Sequence, residues 1–591
     1  MKGKNISLVR TLNRRFTLPF ERKLLFAVRS FSKKERGIFF LLAAVFITSA
    51  AGLLWNVNQS FLVDIPSDGG WLVEGVVGAP RFINPLLAIS DADRDLTALI
   101  YSGLMRRAED GTLKNDLAES YSVSANGLTY TFTLRDNIFW HNGEPITSDD
   151  VVFTIERARN SVLKSPRRAS WDGITVKKIS EREMAFVLSQ PYAPFLENTT
   201  MGILPRHIWK DIPPEQFGFS KYNIESVGSG PYKIKKIKKD AAGIPEYYDL
   251  VPFKKFALNK PYISNVRIRF YSNIDKLLEA FEAGEVGAIN SISPEAAERL
   301  TSGGYRVENS PLPRVFGVFF NQSQAKIFTD KAVRKALGMT IDKEKIVSEV
   351  LHGYATTIDA PIPPGSIGYI QKNNVGNESI SMEEKRREAL EILERNGWKF
   401  DEEEGVMTKK TKEETLTLEF SLSTSEIPEL KGVVNILKES WEKLGARVQV
   451  KIFETGNLNQ NVIRPRKYDA LFFGEIVGRD SDLFAFWHSS QRLDPGLNIA
   501  LYANITADKL LEEARTITDT RERIKKYEEF QKEVATDIPA LFLYSPDFIY
   551  AIPQKIKGLD LEGATIPSER FLNIHTWYIE TDRVWKIFVN N

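Results

Sequence analysis

Nineteen consecutive uncharged residues, GIFFLLAAVFITSAAGLLW from Gly37 to Trp55, constrain this chain more than any other segment. The run approaches the roughly 20 apolar residues that a helix needs to cross a bilayer. Ahead of it, residues 1–36 carry eleven Lys and Arg against Glu21 and Glu35, a net +9, whereas the first charge behind it is Asp64. The positive-inside rule then puts the leader in the cytoplasm and everything beyond the run outside it. On this reading residues 1–36 are a basic cytoplasmic tail, 37–57 a single-pass transmembrane anchor in the cell membrane, and 58–70 a polar, glycine-ended linker. Folded sequence starts at Trp71. A cleaved signal peptide is the alternative, since Ser49, Ala50 and Ala51 supply the small residues of a cleavage site. The length of the run and its extended basic leader favour the anchor.

The whole chain sums to +2, so the residues beyond 36 sum to −7, and a mildly acidic body is a poor match for nucleic acid. With 591 residues the chain exceeds what one hydrophobic core organises, and two or more lobes are expected. The absence of cysteine removes disulfides, thiolate metal sites, a cysteine nucleophile and a thioether lipid anchor.

The body reads as an α/β mixture. Alternating apolar residues mark strands at Leu128, Tyr130, Phe132, Leu134 and at Leu416, Leu418, Phe420, Leu422. Ser381 and Glu384 form a capping box ahead of a helical pattern that Gly397 stops. From Leu416 the order strand, helix (about 427–444), strand (448–452) is the βαβ pattern of a parallel sheet, and Ala470–Phe473 adds a buried neighbouring strand. A further helix carries Ile274, Leu277, Leu278 and Phe281 and stops at Gly284.

No catalytic constellation emerges. The five histidines, His141, His207, His352, His488 and His575, show neither metal-ligand spacing nor HExxH, and no GxSxG, Walker loop or GxGxxG is present. VGSGPYK at 227–233 lacks phosphate-loop spacing and reads as a tight turn. The acid pairs Asp149/Asp150 and Asp480/Asp482 suit acid/base chemistry in principle. Helix starts and loop solvation explain them more simply. No enzyme, metal or cofactor is expected.

Four long segments carry a resemblance. They are LAESYSVSANGLTYTFTLRDNIFWHNGEPITSDDVVFTIER (117–157), VGSGPYKIKK (227–236), the stretch from Asn321 to Pro364 that opens NQSQAKIFTDKAVRKALGM, and the stretch from YDALFFGEIVGRDSDLFAFWHSS to Tyr544. Their order and content resemble the peptide/nickel-type extracytoplasmic solute-binding proteins of ABC importers. The resemblance implies a two-lobed, periplasmic-binding-protein-like α/β fold of the class II type. Lobe I would run over 71–312 with an inserted subdomain at about 110–220, lobe II over 313–545, and residues 546–591 would return to lobe I. Hinge crossings are placed near Pro313–Val318 and Leu543–Phe548. It further implies a monomer that captures a peptide by closing two lobes and hands it to ABC permease subunits in the membrane. Another small solute, such as a nickel complex or a sugar, stays open, as does an enzyme or sensor that retains the fold.

The implied ligand-binding residues are Phe472, Phe473, Glu475, Arg479, Asp480, Phe484 and Trp487 on lobe II and Asn84 on lobe I. Peptide binders of the family pair an aspartate of this loop with the ligand's α-amino group. Here GEIVGRDSD is one residue shorter than that pattern and brings Gly478 or Arg479 to the position. An arginine there repels an ammonium and attracts a carboxylate.

Overall fold

The computed structural model describes residues 21–108, 111–371, 380–480, 482–562 and 564–589, with side chains from Phe26 onward. They divide into two compact units. One comprises the chain up to Ser67 together with the segment from Thr581, and the other runs from Asp68 to Glu580.

In the first unit, Ser32 and Glu35 close a capping box on the helix Lys33–Phe61, none of whose residues is buried. Among the described residues it is the one helix long and apolar enough to cross a membrane. The helix overruns the apolar stretch at both ends, and the segment read as a linker is ordered: Leu62–Ser67 is a strand paired with Glu580–Trp585. That pairing partner lies more than five hundred residues away, where local polarity gives no hint of it. Consequently the residues from Thr581 cluster with the N-terminal unit, although the sequence reading returned them to lobe I.

The second unit is built on a long mixed sheet. Its strands lie in the order Arg447–Phe453, Glu419–Ser425, Ala470–Ile476, Arg314–Phe320, Ala540–Ala551, Ala288–Asn290, Gly69–Val77, Ile263–Tyr271, Pro245–Pro252 and Tyr232–Lys239. The strand Ala540–Ala551 is shared by both lobes. Its first half pairs with Arg314–Phe320 (Phe316 opposite Tyr544), and its second half pairs with Val307–Pro311 (Ser310 opposite Phe548). The chain thus crosses between lobes at Leu312–Pro313 and within Tyr544–Asp547. Separate cores flank the crossing: Leu72, Leu99, Val266 and Trp577 lie in lobe I, and Val318, Leu422, Leu437 and Phe472 lie in lobe II.

Local patterns explain most elements. Ser381 accepts from the Glu384 N–H at 3.2 Å and donates its own N–H to Glu384 at 3.0 Å, starting the helix Met382–Arg395. Gly397, at φ +87°, ends it. The strands Glu419–Ser425 and Arg447–Phe453 pair in parallel around the helix Pro428–Glu442, as the βαβ reading requires. The alternation at Leu416–Leu422 is broken in two, however, because Thr415–Thr417 joins a small antiparallel sheet before the chain enters the main one. Inserted in lobe I is a four-stranded antiparallel sheet spanning Ala118–Leu188, backed by the helix Ser148–Arg159. That helix is capped from Thr147, and Asp150 accepts the Thr147 N–H at 2.9 Å, while Asp149 pairs with Lys178 at 2.8 Å. Both acids are structural.

Candidate functional site

The loop after Ala470–Ile476 brings Gly478, Arg479 and Asp480 of lobe II against lobe I, where they close one wall of a cavity of about 390 Å³. The other walls come from the helix Asp91–Ile100, the segments 101–107 and 197–202, and residues 565–572. This volume lies at the small end of the roughly 300–1,000 Å³ typical of ligand sites.

The lobe I walls are fixed from behind by a buried ion network. Arg570, fully buried, donates to Asp95 at 2.8 and 2.6 Å and to Glu74 at 2.9 Å, and the Tyr550 hydroxyl donates to Glu74 at 2.9 Å. One guanidinium thereby ties the wall segment 567–571, the helix bearing Arg94 and Thr97, and two sheet strands together. Burial pushes the Asp95 carboxyl up to about 6, opposed by Arg570. Sequence reasoning missed this network. A glutamate inside the otherwise apolar strand Gly69–Val77 was its only local signal, because a charge there demands a partner.

Charged side chains of both signs line the cavity among apolar ones: Arg94, Arg106, Arg107, Arg167 and Arg479 face Asp116, Glu197, Asp480 and Glu569. Arg107 pairs with Glu197 and lies 3.9 Å from Glu569. Asp480 is engaged by Arg523 of lobe II at 3.0 Å. Burial raises the Asp116 carboxyl to about 6, against the pull of Arg106 and the Ser102 hydroxyl. Several polar atoms of the wall, among them Thr97 Oγ1, Arg106 Nε and Arg479 Nε, are buried without a hydrogen-bond partner among the described residues. Such groups are costly unless something completes them.

Of the eight residues expected to touch ligand, the structure brings Arg479 and Asp480 to the cavity wall. Asn84 is fully buried, bonded to Asn223 at 3.1 Å and capping the turn at Leu86, next to the wall residue Pro85. Phe472 and Trp487 lie in the lobe II cores, with Phe473 packed against one of them. Phe484 stacks on His488 and lies under Arg515. Glu475 is buried with both carboxyl oxygens unpartnered among the described residues, and burial lifts its pKa well above the carboxylate range. It does not line the cavity. Apolar residues after a buried strand serve the core here, which is the usual outcome of such a pattern.

Asp480 and Asp482 are not loop-solvated acids, since each is half-buried against an arginine. Asp482 meets Arg515 at 3.1 Å and accepts from the Tyr192 hydroxyl of lobe I at 3.3 Å, while the Ala193 N–H donates to the Arg515 carbonyl at 2.8 Å. These contacts join the lips of the two lobes. From below, Ser366 donates to the Gly478 carbonyl at 3.0 Å and the Ile367 N–H to that of Arg479 at 2.9 Å, which holds the loop in place.

Two α/β lobes joined by crossing strands, with a polar cavity between them, define a solute-binding protein. The family of bacterial extracellular solute-binding proteins, family 5, matches over residues 112–492 through its middle region, and the chain belongs to it. It is an extracytoplasmic binding protein for transport and not an enzyme. The oligopeptide-binding protein AppA of Bacillus subtilis is 28% identical over 548 residues, 91% of this chain and 97% of that protein. The probable D,D-dipeptide-binding periplasmic protein DdpA of Escherichia coli is 25% identical over 87% of this chain and 94% of its own length. Among solved structures, AppA in complex with a nonapeptide aligns over 87% of this chain and 100% of its own at TM-score 0.66 and 27% identity. NikZ of Campylobacter jejuni in complex with Ni(L-His) aligns over the same shares at 0.68 and 26%.

Proposed function

We propose that this chain is the membrane-tethered, monomeric substrate-binding subunit of an ABC importer, and that it captures peptides between its lobes and presents the closed form to a permease. The observation that carries this reading is the cavity whose buried polar groups await partners while lip contacts tie lobe I to lobe II. The names of AppA and DdpA support a peptide as ligand. Arg479 is the ligand contact on lobe II and Asp480 stands beside it on the cavity wall, whereas Phe484 and Trp487 pack their loop against the lobe II core. The length of the apolar run and its extended basic leader support retention as an anchor over cleavage after Ala51.

Native mass spectrometry of the full-length chain released from detergent micelles tests both parts. The expected result is an intact N-terminus and a set of co-purified peptide masses that mild denaturation removes. A single non-peptide mass, or an empty protein that ignores peptide mixtures, would remove the peptide from the reading, and a mass starting near residue 52 would remove the anchor.

A further inference from the structure

The acids of the cavity wall are largely spent on partners, and most of its guanidiniums are not. Arg107 absorbs Glu197 and Glu569, and Asp480 is answered from behind by Arg523. Arg106 bonds through one amino group to the neutral amide of Asn573, and Arg479 reaches a carbonyl, that of Gly365, at 3.3 Å. Arg94 meets the half-exposed Asp91 at 3.8 Å, and Arg167 and Arg479 make no ion pair among the described residues. Arg167, though its side chain is exposed, is held below the ordinary guanidinium range by partial desolvation and then by the neighbouring Arg94; burial, then Arg107, do the same to Arg479. Guanidiniums that push on one another around a roughly 390 Å³ space, with Asp116 as the one lining acid that has no arginine at ion-pair distance among the described residues, describe a cradle suited to an anion.

We infer that the cleft selects a short acidic peptide, whose carboxylates are taken by Arg94 and Arg167 on lobe I and by Arg479 on lobe II. The inference rests on the peptide reading above and adds the charge and size of the ligand. Asp480 is drawn back by its ion pair with Arg523 at 3.0 Å, so Arg479 is the lobe II charge that meets the ligand. Binding then depends on the acidic end of the ligand.

Titration of the full-length chain in detergent with Glu-Ala-Glu, Ala-Ala-Ala and Lys-Ala-Lys, at low and high salt, tests this. The acidic peptide should bind at least tenfold more tightly than the basic one, with the margin shrinking as salt rises. In R94Q/R167Q the ratio should fall toward one. Equal affinities, or a preference for the basic peptide, would overturn the inference while leaving the peptide reading intact. If no peptide binds, that reading fails, and citrate decides the anion claim alone: saturable binding that R94Q/R167Q abolishes sustains it, and no binding overturns it.

A separate observation concerns the N-terminal unit. At 1.5 Å per residue the 29-residue helix Lys33–Phe61 is about 43 Å long, against a hydrocarbon core of about 30 Å, so the turns after Trp55 stand at head-group depth if the helix spans. Against those turns lies the C-terminal strand. Trp585 donates its indole N–H to Asn58 at 2.9 Å and packs on Phe61 at 6.3 Å between centroids. Just beyond it, Ile587 and Phe588 are 65% and 68% exposed.

The geometry points to the segment Trp585–Phe588 docking into the outer head-group layer of the bilayer that the helix crosses. This rests on the anchor reading. Since the chain has no cysteine, Phe588→Cys carries a single environment-sensitive fluorophore in phosphatidylcholine/phosphatidylglycerol nanodiscs, with Lys525→Cys as the exposed reference. Blue-shifted emission at 588, quenched by a lipid-borne spin label, is expected. Water-like emission from a chain that stays in the disc overturns the docking and leaves the anchor standing; a chain that leaves the disc overturns both.

Discussion

Arg523 is only 4% exposed, and its counter-charge is Asp480 at 3.0 Å. Removing that carboxylate strands a buried guanidinium, which costs about 3–5 kcal/mol. Asp480→Asn is therefore expected to lower the unfolding free energy by about 3 kcal/mol in a denaturant titration; an unchanged midpoint would mean that the pair is solvated. His141 makes a different prediction. Its Nε2 lies 3.0 Å from the Gly230 carbonyl and its Nδ1 accepts the Gly228 N–H at 3.3 Å, so the ring sits neutral with its proton on Nε2. Burial pushes its pKa down to about 4. An unfolded histidine titrates near 6.5, so the stabilisation is complete above about 6.5 and is lost as pH falls through 4. Between pH 7 and 4.5 the wild type should lose about 2–3 kcal/mol more than His141→Gln, whereas parallel pH curves would contradict the neutral ring.

At the scale of elements, VGSGP is glycine-rich because two backbones touch. A Cβ on Gly228 would lie 1.9 Å from the Ile100 carbonyl oxygen and one on Gly230 2.6 Å from the Ile100 carbonyl carbon, at the end of the helix that bears Arg94 and Thr97. Gly228→Ala should cost about 3 kcal/mol or more and lower the melting temperature sharply, since backbone has to move; a variant that melts like the wild type would contradict this packing. Elements with short-range signatures were legible: the capping box at Ser381, the βαβ unit, and the apolar helix. The break at Leu418 and the strand Leu62–Ser67 were not, because each depends on a partner strand that periodicity cannot locate. The same holds for the site. Arg479 and Asp480 stood out through a resemblance in one loop, whereas Arg94, Arg106, Arg107, Arg167, Glu197 and Glu569 are scattered along the chain and look like any solvated charge until folding gathers them. The aromatic residues near them pack in or against the lobe II cores, a place the sequence could not tell from a ligand wall because a buried strand and a ligand wall share one composition.

For the whole molecule, both lobes hang on the strand Ala540–Ala551 and on the crossing at Leu312–Pro313, so relative motion concentrates at a few backbone positions. Contacts between Tyr192, Asp482 and Arg515 close the lips, and a ligand that adds bonds to both walls shifts the population toward this form. Capture of a peptide between the lobes requires closure on ligand. Spin labels on Glu181→Cys in lobe I and Arg521→Cys in lobe II, both on an otherwise cysteine-free chain, report it by electron–electron double resonance. Addition of a saturating acidic peptide should shorten and narrow the interlobe distance distribution; a distribution identical with and without peptide, in protein shown by titration to bind it, would contradict capture by closure.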